Sequence, residues 1–168
     1  SAITDDGPVY SYYNHSCSEV IYLASELSAG TITQISYQYG FSTPLVDPNP
    51  TIYMGEVSRS SFSSASDWET STLTQVYSGG SVTYNQGWVT ITLSTPFVYS
   101  GANNLLVAYK SQDRVYEEDL LFKQTATTDT KMIINYDDYY IVSGTMPTSS
   151  GYNEAFTTRP NTRFTIVG

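Results

Sequence analysis

The residues of this chain that can carry chemistry are few. There is one histidine, His15, and one cysteine, Cys17, two positions further on. A Ser–His–Asp arrangement would have to use His15, yet no GxSxG elbow accompanies it. The His15/Cys17 pair invites a Cys–His reading. On a strand two such residues share a face, but adjacent same-face side chains rarely align for proton transfer, so the pair reads as a turn histidine beside a buried thiol. One His and one Cys are too few for a zinc centre, and a single cysteine excludes an internal disulfide. Carboxylates are more numerous, clustering at Asp5-Asp6, Glu117-Glu118-Asp119 (with Asp113 close by) and Asp137-Asp138. A glycosidase needs two carboxyls about 5 to 10 Å apart across the scissile bond. Carboxylates also hold hard cations. Asp5 and Asp6, followed by Gly7 for a tight turn, are the candidate ligands of a structural calcium, although the segment lacks the alternating ligands of an EF-hand.

Aromatic platforms are the remaining option. Tyrosine offers a flat apolar face and a hydroxyl, and 16 tyrosines are more than one small core can hide. A sugar-binding site stacks pyranose rings on such faces and bonds their hydroxyls with amides and carboxylates. Tyr10 and Tyr12 alternate in one segment, as do Tyr37 and Tyr39 in another. Asp137, Asp138, Tyr139 and Tyr140 run together, and Trp68 stands between Asp67 and Glu69. These nine residues other than Asp67 and Glu69 are the candidate ligand-binding set. Trp88 is read as a core or loop-packing residue.

Composition limits the partners. The 168 residues carry 7 Lys plus Arg against 16 Asp plus Glu, a formal charge of −9. Such a chain repels phosphate backbones and shows no basic patch, so nucleic acid is not an expected partner. Charged residues are 14% of the chain, below the roughly 25% usual in soluble domains, and abundant Ser, Thr, Tyr, Gly and Asn fit an extracellular β-protein. No apolar run reaches the length of a transmembrane helix, and no signal peptide is evident. The chain reads as the mature portion or a fragment of an exported protein.

The elements that must position these residues are strands. Helical periodicity is nearly absent; one or two helical turns are expected only within Phe62 to Trp68. Short alternating runs bounded by Gly, Pro, Asn and Asp predict strands at Pro8 to Tyr13, Glu19 to Ser25, Gly30 to Gly40, Thr51 to Val57, Thr72 to Ser78, Trp88 to Ser94 and Asn103 to Ser111. DLLFKQ, KMIINY, YYIVSG and TRFTIVG complete a set of about ten or eleven. The apolar side switches near Ile32, which predicts a bulge or a strand passing between layers. The continuous LLVA of Asn103 to Ser111 predicts a strand covered on both faces. Met146 to Thr158, polar and rich in Gly and Ser, is expected to be an exposed loop. No linker or repeat divides the chain, so residues 1–168 are expected to form one antiparallel β-sandwich, jelly-roll-like in its connectivity.

Four segments taken in order, IYLASELSAGTITQISY, TIYMGEVSRSSFSSASDWE, GWVTITLSTPFVYSGANNLLVA and RPNTRFTI, resemble β-sandwich modules of large secreted and surface proteins of Bacteroidota-type bacteria, cleaved-adhesin-like or carbohydrate-binding-like. The resemblance implies a place outside the cell, attachment to a larger multidomain protein, and an accessory or adhesive role with no catalytic motif. The expected function is therefore a non-catalytic module that binds a polysaccharide or surface glycan and requires no cofactor. An adhesive or spacer module meeting a protein partner is the first alternative, and a glycoside hydrolase the second.

Overall fold

In a computed structural model, which describes residues 3–115, 117–138 and 151–168, the chain forms two packed antiparallel sheets and a small third one. The strands in chain order are β1 (Ile3–Asp5), β2 (His15–Tyr22), β3 (Gly30–Tyr39), β4 (Leu45–Asp47), β5 (Thr51–Val57), β6 (Thr74–Tyr77) and β7 (Val82–Tyr84). They continue with β8 (Gly87–Tyr99), β9 (Asn104–Ser111), β10 (Phe122–Ala126), β11 (Met132–Asp137), β12 (Tyr152–Phe156), β13 (Thr158–Pro160) and β14 (Thr162–Val167). One sheet places β3 between β8 and β14; β10 joins it by pairing with β3 at Phe122 and Tyr39, and carries β1 and β13. The other runs β12-β11-β2-β9-β5-β6, and β4 pairs only with β7. This is an all-β sandwich.

Alternation explains which side chains meet. Ile35, Tyr37 and Tyr39 of β3 and Ile91 and Leu93 of β8 face Val20 and Tyr22 of β2, Leu105, Val107 and Tyr109 of β9, and Met132 and Ile134 of β11 across one core. The expected change of side in β3 is a bulge: its pairing with β8 shifts register between Ile32 and Gln34. Both Ile32 and Ile35 thereby reach the core, an odd spacing that the extra residue makes compatible.

The second sheet is covered on both faces. Residues 58–73 pass over its outer side, and Cys17, Ile21, Leu106, Ala108 and Ile133 pack there against Tyr53, Val57, Phe62, Trp68 and Leu73. All eight residues of β2 are buried for this reason, as are the five residues of LLVAY in β9. The covering segment is not the expected helix. Ser63 donates from its N–H and hydroxyl to Asp67 at 2.8 and 2.9 Å, and Asp67 and Glu69 clamp Arg59. Side-chain acceptors thus take the bonds a helix would form internally. The one helical turn described is a 3₁₀ turn at Ala24–Glu26, where the sequence predicts the end of a strand.

Two further expectations are corrected. Pro8 to Tyr13 is a folded-back loop, not a strand: the Tyr10 N–H bonds to the Ser16 hydroxyl at 3.2 Å and the Tyr13 N–H to the Tyr10 carbonyl at 3.3 Å. Part of the expected loop Met146 to Thr158 is strand, because Tyr152–Phe156 pairs with β11 along its length. The expected strand YYIVSG lies outside the described residues.

Glu19 supplies a test of the covered face. It is fully buried on β2, its Oε1 accepts the Glu69 N–H at 2.9 Å, and its Oε2 has no hydrogen-bond partner. Burial, the largest cause, lifts its pKa to about 8. A carboxyl whose folded pKa is raised keeps its proton where the unfolded chain has lost it, so stability falls as pH rises from about 4.5 to about 8. Asp6 and Asp47, raised to about 7 and about 6 chiefly by burial, act in the same direction. The melting temperature is expected to fall between pH 5 and pH 9, and Glu19→Gln to flatten the upper part of that fall. An unchanged slope in the variant would contradict the assignment.

Candidate functional site

The loop of residues 8–14 is fixed by buried polar anchors. Ser11 is fully buried; its hydroxyl accepts the Leu120 N–H at 3.0 Å and its carbonyl the Glu117 N–H at 3.2 Å. Ser18 donates to the Pro8 carbonyl at 2.9 Å. Arg114, 2% exposed, donates to the Tyr10 carbonyl at 2.8 Å, to the Ser16 hydroxyl at 3.3 Å and to the Ser111 hydroxyl at 2.5 Å. Two bonds between Arg114 and Asn14 complete the bracket: the Arg114 N–H donates to the Asn14 carbonyl at 3.1 Å, and the Asn14 side-chain amide donates to the Arg114 carbonyl at 2.6 Å. Gly7 lets the chain enter this loop close to the core. Its φ is +111°, and a Cβ there would lie 2.5 Å from the Met132 sulfur.

Held this way, the loop folds its tyrosines onto the ends of β11 and β12. Tyr10 stacks on Tyr136 with ring centroids 4.1 Å apart, and Tyr13 lies 4.5 Å from Tyr136. Tyr12 meets Tyr13 edge-on at 5.5 Å, while Tyr152 is 5.8 Å from Tyr136 and 6.3 Å from Tyr13. Such offset and edge-to-face contacts are favourable ring geometries. Two of its rings reach solvent: Tyr152 is 63% and Tyr12 42% exposed. A cleft of about 580 Å³ opens beside it, lined by Tyr13, Asp137, Asp138, Gly151 and Tyr152. Asp138 is oriented by the Asn14 N–H at 3.2 Å, and the Tyr136 hydroxyl donates to Glu154 at 3.0 Å.

Carboxylates give the cluster a negative field. Burial, then the hydrogen bond to Glu154, pushes the Tyr136 phenol up to about 12. The Tyr13 phenol is raised by burial and then by Tyr152, Asp138, Tyr12 and Asp137. Behind the loop, burial raises Asp6 first, with Asp5, Glu154 and Asp119 adding to it.

The structure thus brings together Tyr10, Tyr12, Asp137 and Asp138 of the expected binding residues. Tyr37 and Tyr39 are 1% exposed and belong to the core; the bulge in β3 turns them inward. Trp68 pins the covering segment to the second sheet, so its face is spent on packing. Tyr139 and Tyr140 lie outside the described residues. Tyr13, Tyr136, Tyr152 and Glu154 are additional members. The first two stand beside residues that sequence reasoning singled out, and the alternation of Tyr152, Glu154 and Phe156 is a strand signal obscured by the polar stretch around it.

The other chemical candidates resolve differently. Cys17 is buried under the covering segment, and burial raises its thiol far above the range of a reactive thiolate. His15, also buried, accepts the Asp113 N–H at Nδ1 at 3.3 Å. Asp5 ends β1, and its side chain accepts the Asp6 N–H at 2.8 Å. The carbonyls of Asp5, Asp6 and Gly7 converge on Gln124 Nε2 at 3.3, 3.2 and 3.1 Å. Among the described residues, no three His, Cys, Asp or Glu side chains gather as a metal ion would require.

A second groove, about 430 Å³, includes Tyr22, Trp88, Arg159 and Arg163. Its rings are already covered: Arg163 sits 3.8 Å over Trp88 and Arg159 4.9 Å over Tyr22. The Tyr-rich cleft is therefore the better candidate for an outside ligand.

The fold and the cleft together define an all-β sandwich domain with an open aromatic–acidic surface. Compared with protein-family models, curated proteins and solved structures, the chain has no match.

Arg114 is the testable anchor. Its loss leaves the Tyr10 carbonyl and the Ser16 and Ser111 hydroxyls without this donor, and buried Asp47 without the positive charge that acts on it. Arg114→Met is expected to cost about 3–5 kcal/mol in denaturant unfolding, and to release the ring contacts of Tyr10 and Tyr13, seen as loss of near-ultraviolet circular dichroism. A variant of native stability with an intact aromatic spectrum would contradict this role.

Proposed function

We propose that this domain is a non-catalytic binding module that recognises a carbohydrate polymer at the Tyr-rich cleft, working outside the cell as one part of a larger chain. The observation that carries the reading is the ring assembly of Tyr10, Tyr12, Tyr13, Tyr136 and Tyr152, with Tyr12 and Tyr152 open to solvent beside a cleft lined by two carboxylates. Pyranose rings present apolar C–H faces that stack on such tyrosines, while their hydroxyls donate to Asp137 and Asp138. The supporting loop and strands are prearranged by buried hydrogen bonds, which lowers the ordering cost of binding. The low content of charged residues and the net charge of −9 fit an exported protein and speak for sugar over nucleic acid.

The test is binding of the isolated domain to an array of neutral, acidic and amino polysaccharides. Binding to one polymer class is expected, with Tyr12→Ala and Tyr152→Ala each weakening it about 2- to 10-fold and Trp88→Ala leaving it unchanged. Binding lost only in the Trp88 variant would move the site to the other groove, and a blank array would overturn the sugar reading.

A further inference from the structure

The seven Lys and Arg residues of the chain are engaged or placed away from the cleft. Arg59 is held by Asp67 and Glu69, Lys131 by Asp129, and Arg159 by Glu26. Arg163 covers Trp88, and Lys110 lies over Tyr53. Lys123 stands on β10 opposite Thr4. Arg114 is nearest, but it is 2% exposed and directs Nε and Nη2 to Ser111, Tyr10 and Ser16 behind the rings. No Lys or Arg is among the described residues lining the cleft, and residues 139–150 contain none in their sequence. Asp137 and Asp138 nevertheless line it, Glu154 binds Tyr136, and Asp6 adds to the field on Tyr10.

Two independent features coincide here. Carboxylates without a cationic side chain in the lining attract positive charge, and open tyrosine faces accept an ammonium within about 6 Å of a ring centroid. A neutral sugar would use the rings and leave the field unanswered; an anionic one would be repelled. We infer that the cleft takes a cation-bearing saccharide, a polymer of amino sugars whose ammonium groups sit between the rings of Tyr13 and Tyr152 and the carboxylates of Asp137 and Asp138. This rests on the carbohydrate reading of the same cleft and narrows it to one class.

The experiment compares polyglucosamine with the same polymer fully N-acetylated, and with oligolysine, at a pH where the glucosamine amines are charged. Wild type is expected to bind polyglucosamine at least about tenfold more tightly than the acetylated polymer, with the preference shrinking as salt is raised. The double variant Asp137→Asn, Asp138→Asn keeps the side-chain shapes and the Asn14 contact. It is expected to lose the preference, its affinity for polyglucosamine falling far more than its affinity for the acetylated polymer, with its melting temperature unchanged. Equal binding of both polymers by wild type would overturn the inference and leave the carbohydrate reading standing. A preference that survives in the double variant would overturn the assignment to these carboxylates. Failure to bind either polymer, with or without binding of oligolysine, would overturn the inference; the carbohydrate reading would fall with it only if the polysaccharide array were also blank.

Discussion

The structure depends on a buried guanidinium. Arg114 lies between the end of β9, the start of β2 and the loop of residues 8–14, and each of these gives it an acceptor. Withdrawing a charge from water is costly unless opposite charge and hydrogen bonds replace the lost hydration. Asp47, fully buried on β4, provides the opposite charge and itself accepts from Tyr109 at 2.9 Å. The pairing is incomplete, since Arg114 Nη1 and Asp47 Oδ1 have no hydrogen-bond partners. The network therefore contributes more to a unique arrangement than to net stability. It ties the small β4–β7 sheet, the main core and the tyrosine loop into one geometry.

That geometry also sorts the tyrosines. Several of those inside bring their hydroxyls to a partner: Tyr22 to Thr162, Tyr39 to the Thr43 carbonyl, Tyr84 to Tyr109, Tyr109 to Asp47, and Tyr99 to the Asn103 carbonyl. A buried phenol gains from such a partner because an unsatisfied hydroxyl forfeits about 1–3 kcal/mol of what its ring burial contributes. The tyrosines of residues 10–13 lie at the margin of the core, where Tyr10 packs partly against it and Tyr12 stays exposed. They stack on one another and on Tyr136 and Tyr152, with part of their surface left in water. The same residue type is thus core material in β3, β7 and β9 and a surface platform at the ends of β11 and β12.

How much of this was legible in the sequence follows from the physics of each signal. The alternation in Thr51 to Val57 and Trp88 to Ser94, and the continuous apolar run in β9, report burial directly, so those strands, the sandwich and the bulge near Ile32 could be read. Alternation in Pro8 to Tyr13 misled because rings separated by one residue also suit a folded-back loop, and its buried serines and Arg114 partner are distant in sequence. The helix expected near Trp68 failed for a related reason: Asp67 captures local donors, and Arg59 reaches back to it. Asp137 and Asp138 were identified as a pair, but their meeting with Tyr12 and Tyr13 depends on the pairing of β2 with β11, which places Asp137 opposite His15. Nothing local encodes that register.

The most direct measurement is a backbone amide shift map of the domain titrated with short oligomers of glucosamine and of N-acetylglucosamine. The account predicts perturbations concentrated at residues 10–14, 136–138 and 151–154, with the Trp88–Arg163 face and the covering segment of residues 58–73 unmoved. Perturbations centred on Trp88, Asn161 and Arg163, or no perturbation with either oligomer, would contradict it.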